Sequence, residues 1–443
     1  MSIVAERKLL ALQRDEPLAG NYFVAAYPPF SAWEVKQAPA CERIFKQRAS
    51  ASPLGIYVHL PFCQKKCDYC YYLSYINQNA AAVNHYLETV VHEMELYAQQ
   101  PAVKGRPVSF VYFGGGTPST LSSSQVRFLT NGLRNALSWD GIEEITFECA
   151  PRSVRREFLK TLRAVGVTRL SMGVQSFDDE LLQTNGRVHL LEDVCRAYPL
   201  ISDAEFDSVN LDLMVGMLGE TPEKWIQTVD RILQLSPDSV TIYQTEIPHN
   251  TKLYNDLKNG QLPAPVVPWE IKRARLCYAF NELERAGYTV NSAYSAVKNP
   301  SRQRFQYQEH LWRGDDMLPL GVAAFGYFNG FHFQNEVTLE TYEAKVDANI
   351  LPLKRALELT PQNQLVREFV LQLKWGAVSA APFQKKFGVN IFEFFQEPLR
   401  RLAREGFLVC SEKEVLLTRA GLLRADRLLP EFYEAQYRNV RYT

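Results

Sequence analysis

The chain has 443 residues, and its 49 basic and 49 acidic side chains cancel to a formal charge of zero. That balance excludes a protein built mainly to grip nucleic acid or an anionic membrane, since neither would meet a net attractive field. With 46% hydrophobic and 22% charged residues the composition is globular, no apolar run approaches the ~18 residues of a bilayer span, and the charged N-terminus MSIVAERKLLALQRDEPLAG lacks a signal-peptide core; a cytoplasmic protein is expected.

Residues 1–52 read as an aromatic N-terminal arm. NYFVAAYPPFSAW (21–33) carries Pro28–Pro29 and suggests an extended strap over the core rather than a substrate lid. From 53 to 297, strand-like and helix-like segments alternate. The strand candidates are GIYVHLPF (55–62), VSFVYFGG (108–115), EEITFECA (143–150), TRLSMGVQSF (168–177), SVNLDLMVG (208–216), SVTIYQTEI (239–247) and TVNSAYSAV (289–297). Their apolar, β-branched runs fit parallel strands buried on both faces. Helical spacing links Val83, Tyr86, Leu87, Val90, Met94 and Tyr97, and further helices are predicted over Ser123–Ser138, Arg155–Val165, Pro222–Leu235 and Pro268–Ala286. This alternation predicts an α/β fold, a partial or complete (β/α) barrel with right-handed crossovers. Residues 298–355 begin loop-like (KNPSRQRFQYQEHLWRGDD), continue through the glycine-punctuated LGVAAFGYFNG, and are expected to connect to and complete the active site. Residues 356–443 read as a helical, winged-helix-like module with two short strands around Ser411–Lys413 and a packing role.

Cys41, Cys149, Cys195, Cys277 and Cys410 are scattered and read as small hydrophobes. Cys63-x3-Cys67-x2-Cys70 is different, because three thiolates this close converge on one metal centre, zinc or an iron–sulfur cluster. Structural zinc requires a fourth ligand, for which His59 is the candidate, yet His59 falls on the predicted strand. A four-iron cluster on three cysteines instead leaves one iron open to a ligand. The other unusual residues also fall where barrels place chemistry, at strand carboxyl ends. Gly115, Gly116 and Thr117 make a side-chain-poor turn. Glu148 ends a buried strand and needs a partner. Gln175 can donate and accept, as a ribose hydroxyl requires. Arg187 can fork onto a carboxylate, and Asp212 is costly inside VNLDLMVG unless paired or ligand-bound. A structural Arg187–Asp212 ion pair is the plain alternative for those two.

CxxxCxxC after the first strand of such a barrel resembles the radical S-adenosylmethionine (SAM) superfamily. In that superfamily the open iron binds SAM, whose reductive cleavage leaves methionine and a 5′-deoxyadenosyl radical. More narrowly, IYVHLPFCQKKCDYC, FGGGTPS, FECAP, RLSMGVQSF, NGRVH and NLDLMVG, then IYQTEIPHNT, GVAAFG and LTRAGLL, resemble the oxygen-independent coproporphyrinogen III oxidase family from about residue 50 onward. The resemblance implies a [4Fe-4S] cluster on Cys63, Cys67 and Cys70, with Tyr57 and Tyr69 beside the bound SAM. It implies that the Gly115–Thr117 turn meets the methionine amino group, and that Glu148, Gln175, Arg187 and Asp212 help hold one or two SAM molecules. Thr245 and Phe325 stand at second-SAM positions, with Gln306 or Gln308 nearby. A flavodoxin- or ferredoxin-like reductant is implied as partner.

The chain departs from the family pattern in several places. Genuine coproporphyrinogen oxidases carry a Cys-Gly-Cys where this chain has Cys70-Tyr71-Tyr72. The heme-chaperone relatives carry a polar or small residue and then Phe there, and a His-Asn pair absent from QYQEHLWRGDD, which keeps Trp312 and Gly314; they are not expected to carry the aromatic arm. These departures favour the remaining branch, in which a second SAM donates one carbon for C-methylation or cyclopropanation of a small unsaturated substrate. The alternatives are coproporphyrinogen-type decarboxylation or other tetrapyrrole chemistry, and a non-enzymatic heme carrier.

Overall fold

The computed structural model describes residues 17–438 and 440; the first sixteen residues of the predicted arm lie outside these. Six strands, β1 (Leu54–Leu60), β2 (Val108–Gly115), β3 (Glu144–Cys149), β4 (Arg169–Gln175), β5 (Ser208–Val215) and β6 (Ser239–Gln244), lie side by side in chain order. All five pairings between them are parallel. Helices Ala80–Ala98, Ser123–Ala136, Arg156–Ala164 and Pro222–Leu235 form as the spacing predicts. Their starts have local causes, such as the Ser122–Gln125 capping box and Thr221 ahead of Pro222. Two further helices, Asp179–Thr184 and Leu191–Asp203, join β4 to β5; Pro199 inside the second obscures its pattern.

Two expectations need correction. The run 289–297 is not a seventh parallel strand but a hairpin, β7 (Thr289–Val290) and β8 (Ser295–Val297), with β8 antiparallel to β6. Residues 298–355 are not mainly loop. They supply the helix Gln306–Arg313 and then β9 (Asp316–Leu320), parallel to β1 on its free side. After β9 come β10 (Phe325–Phe328), β11 (Phe331–Asn335) and β12 (Leu353–Glu358), all antiparallel. Pro319 and Asp316 hide β9 from a periodicity reading, although all five of its residues are buried. The β10–β11 turn is Asn329–Gly330, both at positive φ, a hairpin signal legible in the sequence. The twelve-stranded sheet retains separate edges, β12 and β7, so the barrel is partial.

The strands are also not apolar on both faces. Outward residues such as Val111, Phe113, Leu170 and Leu211 join one hydrophobic core with the helices. Residues two apart on the opposite face are polar and bonded to one another. Arg169 donates to Ser208 (2.9 Å) and Ser239 (3.3 Å), Ser239 donates to the Asn210 side-chain oxygen (2.8 Å), and the Asn210 amide donates to Ser171 (2.9 Å). At the amino end of this lumen, the Glu144 carboxylate accepts from the backbone N–H of Gln306 (3.3 Å) and Tyr307 (3.5 Å). A carboxylate thus caps the positive end of the helix that closes the barrel floor.

The described part of the arm spans the open side. Gly20 bridges Ile247 just beyond β6, and Glu34 bridges Ala356 in β12. Between them, the Val24 N–H donates to Asp426 (2.9 Å) and the Tyr27 hydroxyl to Glu434 (3.0 Å). Both carboxylates belong to the C-terminal part of the chain, where helices Pro361–Leu373, Ala380–Phe387 and Gln396–Arg404 pack with a small antiparallel sheet. That sheet comprises β13 (Ala377–Ser379), β14 (Leu408–Cys410) and β15 (Glu414–Leu417), in the order β13-β15-β14. Among the described residues no helix is long and apolar enough to cross a membrane.

The attachment of β9 to β1 rests partly on a buried ion pair, Arg106 to Asp316 at 2.9 Å, with both side chains 6% exposed or less. Arg106→Ala leaves Asp316 buried without its cation, and is expected to destabilise the fold by about 3–5 kcal/mol. Urea unfolding of the variant against the parent measures this.

Candidate functional site

The cysteines occupy the loop after β1, held by backbone from three directions. At its base the Cys63 N–H donates to the Tyr75 carbonyl (3.1 Å) and the Tyr75 N–H to the Pro61 carbonyl (2.7 Å). On the β2 side, Gly116 and Thr117 donate their N–H groups to the Leu60 and Phe62 carbonyls, each at 2.8 Å. A Cβ on Gly116 would lie 2.8 Å from the Phe62 oxygen, and one on Gly115 (φ +112) would lie 2.6 Å from the His59 ring. The glycines are therefore needed to seat the turn against the cysteine loop. On the third side the Asp68 N–H donates to the Asn185 carbonyl (3.4 Å), and a Cβ on Gly186 would strike Asp68 at 2.6 Å.

Side chains complete the sulfur environment. The Thr117 hydroxyl donates to Cys63 Sγ (3.5 Å), and the Arg187 guanidinium donates to Cys67 Sγ (3.3 Å) and the Gly173 carbonyl (2.9 Å). Tyr69 lies within electrostatic reach of both Arg187 and Cys67. Burial pushes the Cys63 thiol up, opposed by the Thr117 hydroxyl, and pushes the Cys70 thiol up to about 11. Half-buried thiolates of this kind need a cationic centre to hold them ionised. The zinc alternative is not supported by the ligand geometry. His59 is 4% exposed, has its Nδ1 3.1 Å from the Tyr57 hydroxyl, and is lowered to about 4 by burial. Among the described residues no three His, Cys, Asp or Glu side chains converge tightly enough for one ion. A cluster offers each thiolate a separate iron, so its ligands need not meet at a point.

The predicted carboxylates lie on the lumen above the floor. Glu148 accepts from the Tyr112 hydroxyl at 2.5 Å and from the Gly115 N–H at 3.2 Å, and burial raises it to about 7. Asp212 accepts from Ser171 (3.1 Å) and the Asn210 amide (2.8 Å), and burial raises it to about 6. It does not form the ion pair with Arg187, whose guanidinium is spent on Cys67 and Gly173; Asp212 lies within reach of that charge only at longer range. Gln175 ends β4 with a left-handed backbone (φ +66), a conformation costly for a non-glycine, and its buried Oε1 has no partner. Thr245, just past β6 and 3% exposed, likewise has an unpartnered hydroxyl. Unmet acceptors at two carboxyl ends, beside three thiols and two lumenal carboxylates, suit a polar, positively charged nucleoside-type ligand. The residues present thus fit a [4Fe-4S] cluster with SAM.

The remaining assignments separate from this set. Phe325 opens β10 and packs on Phe30 (4.4 Å between ring centroids) and Trp33 (5.6 Å) of the arm. Gln306 starts the helix under the barrel floor, with its N–H on Glu144, and Gln308 follows on the same helix. Both therefore stand at the amino end, opposite the cysteines, and the second-site assignment fails for them. Sequence reasoning missed Tyr112, Asn210 and Ser171, the partners of the two carboxylates. Their signal was the inward alternation within VSFVYFGG, TRLSMGVQSF and SVNLDLMVG.

The fold and this site define a radical SAM protein. Residues 57–232 match the radical SAM superfamily and residues 359–424 the HemN C-terminal domain. The chain thus combines a radical SAM domain with a HemN C-terminal domain, and its similarity runs to heme chaperones and oxygen-independent coproporphyrinogen III oxidases. It is 29% identical to the heme chaperone HemW of Bacillus subtilis (85% of this chain, 98% of that protein). It is 28% identical to the oxygen-independent coproporphyrinogen III oxidase of Escherichia coli (84% of this chain, 83% of that protein). The solved structure of E. coli coproporphyrinogen III oxidase, described as a radical SAM enzyme, superposes with a TM-score of 0.80 at 25% identity, covering 94% of this chain and 99% of that one.

These relatives overturn the C-methylation or cyclopropanation expected from the sequence, because they are named as coproporphyrinogen oxidases and heme chaperones. The expectation placed too much weight on Tyr71–Tyr72, two positions beside the cysteines, against correspondence along most of the chain.

Glu148 tests the lumen electrostatics. Its folded pKa lies above the ordinary carboxylate value, so the folded state binds the extra proton, and stability falls as pH rises from about 4.5 to about 7. Glu148→Gln removes the ionisation. The variant is expected to gain stability relative to the parent above pH 7 and to lose that advantage near pH 5, as read by denaturant midpoints at both pH values.

Proposed function

We propose that the protein is a radical SAM enzyme acting on a tetrapyrrole, its reaction the oxidative decarboxylation of a porphyrinogen side chain. The observation that carries this is the correspondence with a coproporphyrinogen III oxidase over 94% of the chain, which takes in the C-terminal module as well as the barrel. When bound, the cluster and SAM supply a 5′-deoxyadenosyl radical as hydrogen-atom acceptor. Cys63, Cys67 and Cys70 would hold the cluster. Arg187 and Thr117 donate to two of those sulfurs, which steadies negative charge on them. Gln175, Thr245, Glu148 and Asp212 would orient the nucleoside, and Tyr57, near the barrel's centre, would exclude water from beneath it. A propionate side chain that loses a hydrogen atom, then carbon dioxide and one electron, becomes a vinyl group. The electron passes to a one-electron acceptor, and a flavodoxin- or ferredoxin-like protein would supply the reducing electron.

The similarity to HemW, which spans 98% of that heme chaperone, supports a second reading as a heme carrier. Anaerobic reconstitution with iron and sulfide, followed by incubation with SAM, a reductant and coproporphyrinogen III, separates the two. The enzyme reading expects 5′-deoxyadenosine together with a product lighter by carbon dioxide and hydrogen, both lost in a Cys63→Ala, Cys67→Ala, Cys70→Ala variant. A stoichiometric heme complex with no change in the tetrapyrrole establishes the carrier, and S-adenosylhomocysteine as co-product refutes both.

A further inference from the structure

The Tyr71–Tyr72 pair after the third cysteine and the aromatic arm meet in the fold. The Tyr71 and Tyr72 rings stack at 4.8 Å with 22° between their planes. Tyr72 is 46% exposed. Facing it from β6 is Tyr243, which is 41% exposed although it lies within a strand of the central sheet, paired with Met214. Such exposure in mid-sheet means that the lumen is open at this level.

The remaining wall comes from the arm. Phe23 lies 6.4 Å from the Tyr243 ring and 5.3 Å from that of Tyr294, which in turn stacks on Tyr243 at 6.4 Å and 29°. The arm cannot swing freely, because Lys374 fixes it from below. Its ammonium donates to the Val24 carbonyl at 2.6 Å, pairs with Asp426 at 3.5 Å and lies 4.0 Å from the Phe23 ring centroid. The Tyr243 hydroxyl lies within electrostatic reach of Asp212, Tyr72, Glu148 and Arg169, so these rings stand near the lumenal carboxylates. Rings held in place by packing, and here by hydrogen bonds of the Tyr294 hydroxyl to Asp426 (2.6 Å) and between Tyr71 and Tyr72, present flat apolar faces at little entropic cost.

We propose that Tyr72, Tyr243 and Phe23, backed by Tyr71 and Tyr294, form an aromatic clamp that grips the pyrrole rings of the substrate next to the cysteine loop and sets substrate preference. This rests on the tetrapyrrole reading above and names the residues that execute it. The clamp takes ring faces because its walls are rings; the charges around it are mixed, with Glu148, Asp212 and Glu246 set against Arg169 and Lys374. It is a positioning device and moves no proton or electron.

The test is anaerobic titration of the cluster-reconstituted full chain with coproporphyrin III, followed by quenching of its fluorescence. Tyr243→Leu and Tyr72→Leu are each expected to weaken binding at least tenfold, and Tyr243→Phe and Tyr72→Phe to stay within about threefold of the parent. Iron content reports whether the cysteine loop survives each change. Should Tyr72→Leu lose iron, Tyr243→Leu, which lies on β6, decides the outcome. Parent-like affinity in the leucine variants overturns the clamp alone and leaves the tetrapyrrole reading in place. Equal losses in the phenylalanine and leucine variants also overturn it, since the hydroxyls rather than the rings would then be the contact. A parent protein that binds no coproporphyrin overturns both.

Discussion

The structure depends on the immobilisation of a loop that has no regular secondary structure of its own. The stretch Cys63–Cys70 forms neither a strand ladder nor a helix, so its backbone is satisfied largely from outside. The turn after β2, the bridge to Tyr75 and the Asn185–Gly186 corner each contribute N–H···O contacts or a close approach that a side chain would block. These anchors come from separate crossovers of the parallel sheet. The loop is therefore only as well placed as the register of β1, β2 and β4.

A second consequence of that register is the polar lumen. Parallel strands normally bury apolar residues on both faces, yet here one face carries Arg169, Ser171, Asn210, Asp212, Glu144 and Glu148; Ser171, Asn210 and Asp212 bond to one another, and the rest to Ser208, Thr146 and Tyr112. Burying such groups is costly, and the cost is tolerable because the network leaves few donors and acceptors unmet. Among the unmet atoms, Gln175 Oε1 and Thr245 Oγ1 stand at the carboxyl ends near the cysteines. The helix Gln306–Arg313 plugs the floor, so the barrel has a closed end and a mouth at the cysteines.

Much of the site could be read from the chain alone because its residues are chemically unusual where they stand. Cys63, Cys67 and Cys70 are close in sequence, and Gly115, Glu148, Gln175 and Asp212 each interrupt an apolar strand at or near its end. What remained hidden were partners. Tyr112 looks like any strand aromatic until its hydroxyl meets Glu148, and Asn185 looks like a turn residue until its carbonyl meets Asp68. Gln306 was misplaced for the converse reason, since a glutamine in a polar segment carries no mark of which end of a barrel it will reach. The reaction type was misjudged because a local difference at Tyr71–Tyr72 was set against resemblance spread over most of the chain.

Sequence alone determined the six parallel strands, most of the helices between them and the metal-binding cysteine loop, because strand length, helical periodicity and thiol spacing are local properties written within a few dozen residues. Tertiary structure decided the addition of β9 to β12 beside β1, the strap from Ile247 to Ala356, the freedom of Asp212 from Arg187, and the meeting of Phe23 with Tyr243. Each of these joins residues far apart in the chain, and which faces meet follows from sheet order and register, which no local pattern encodes.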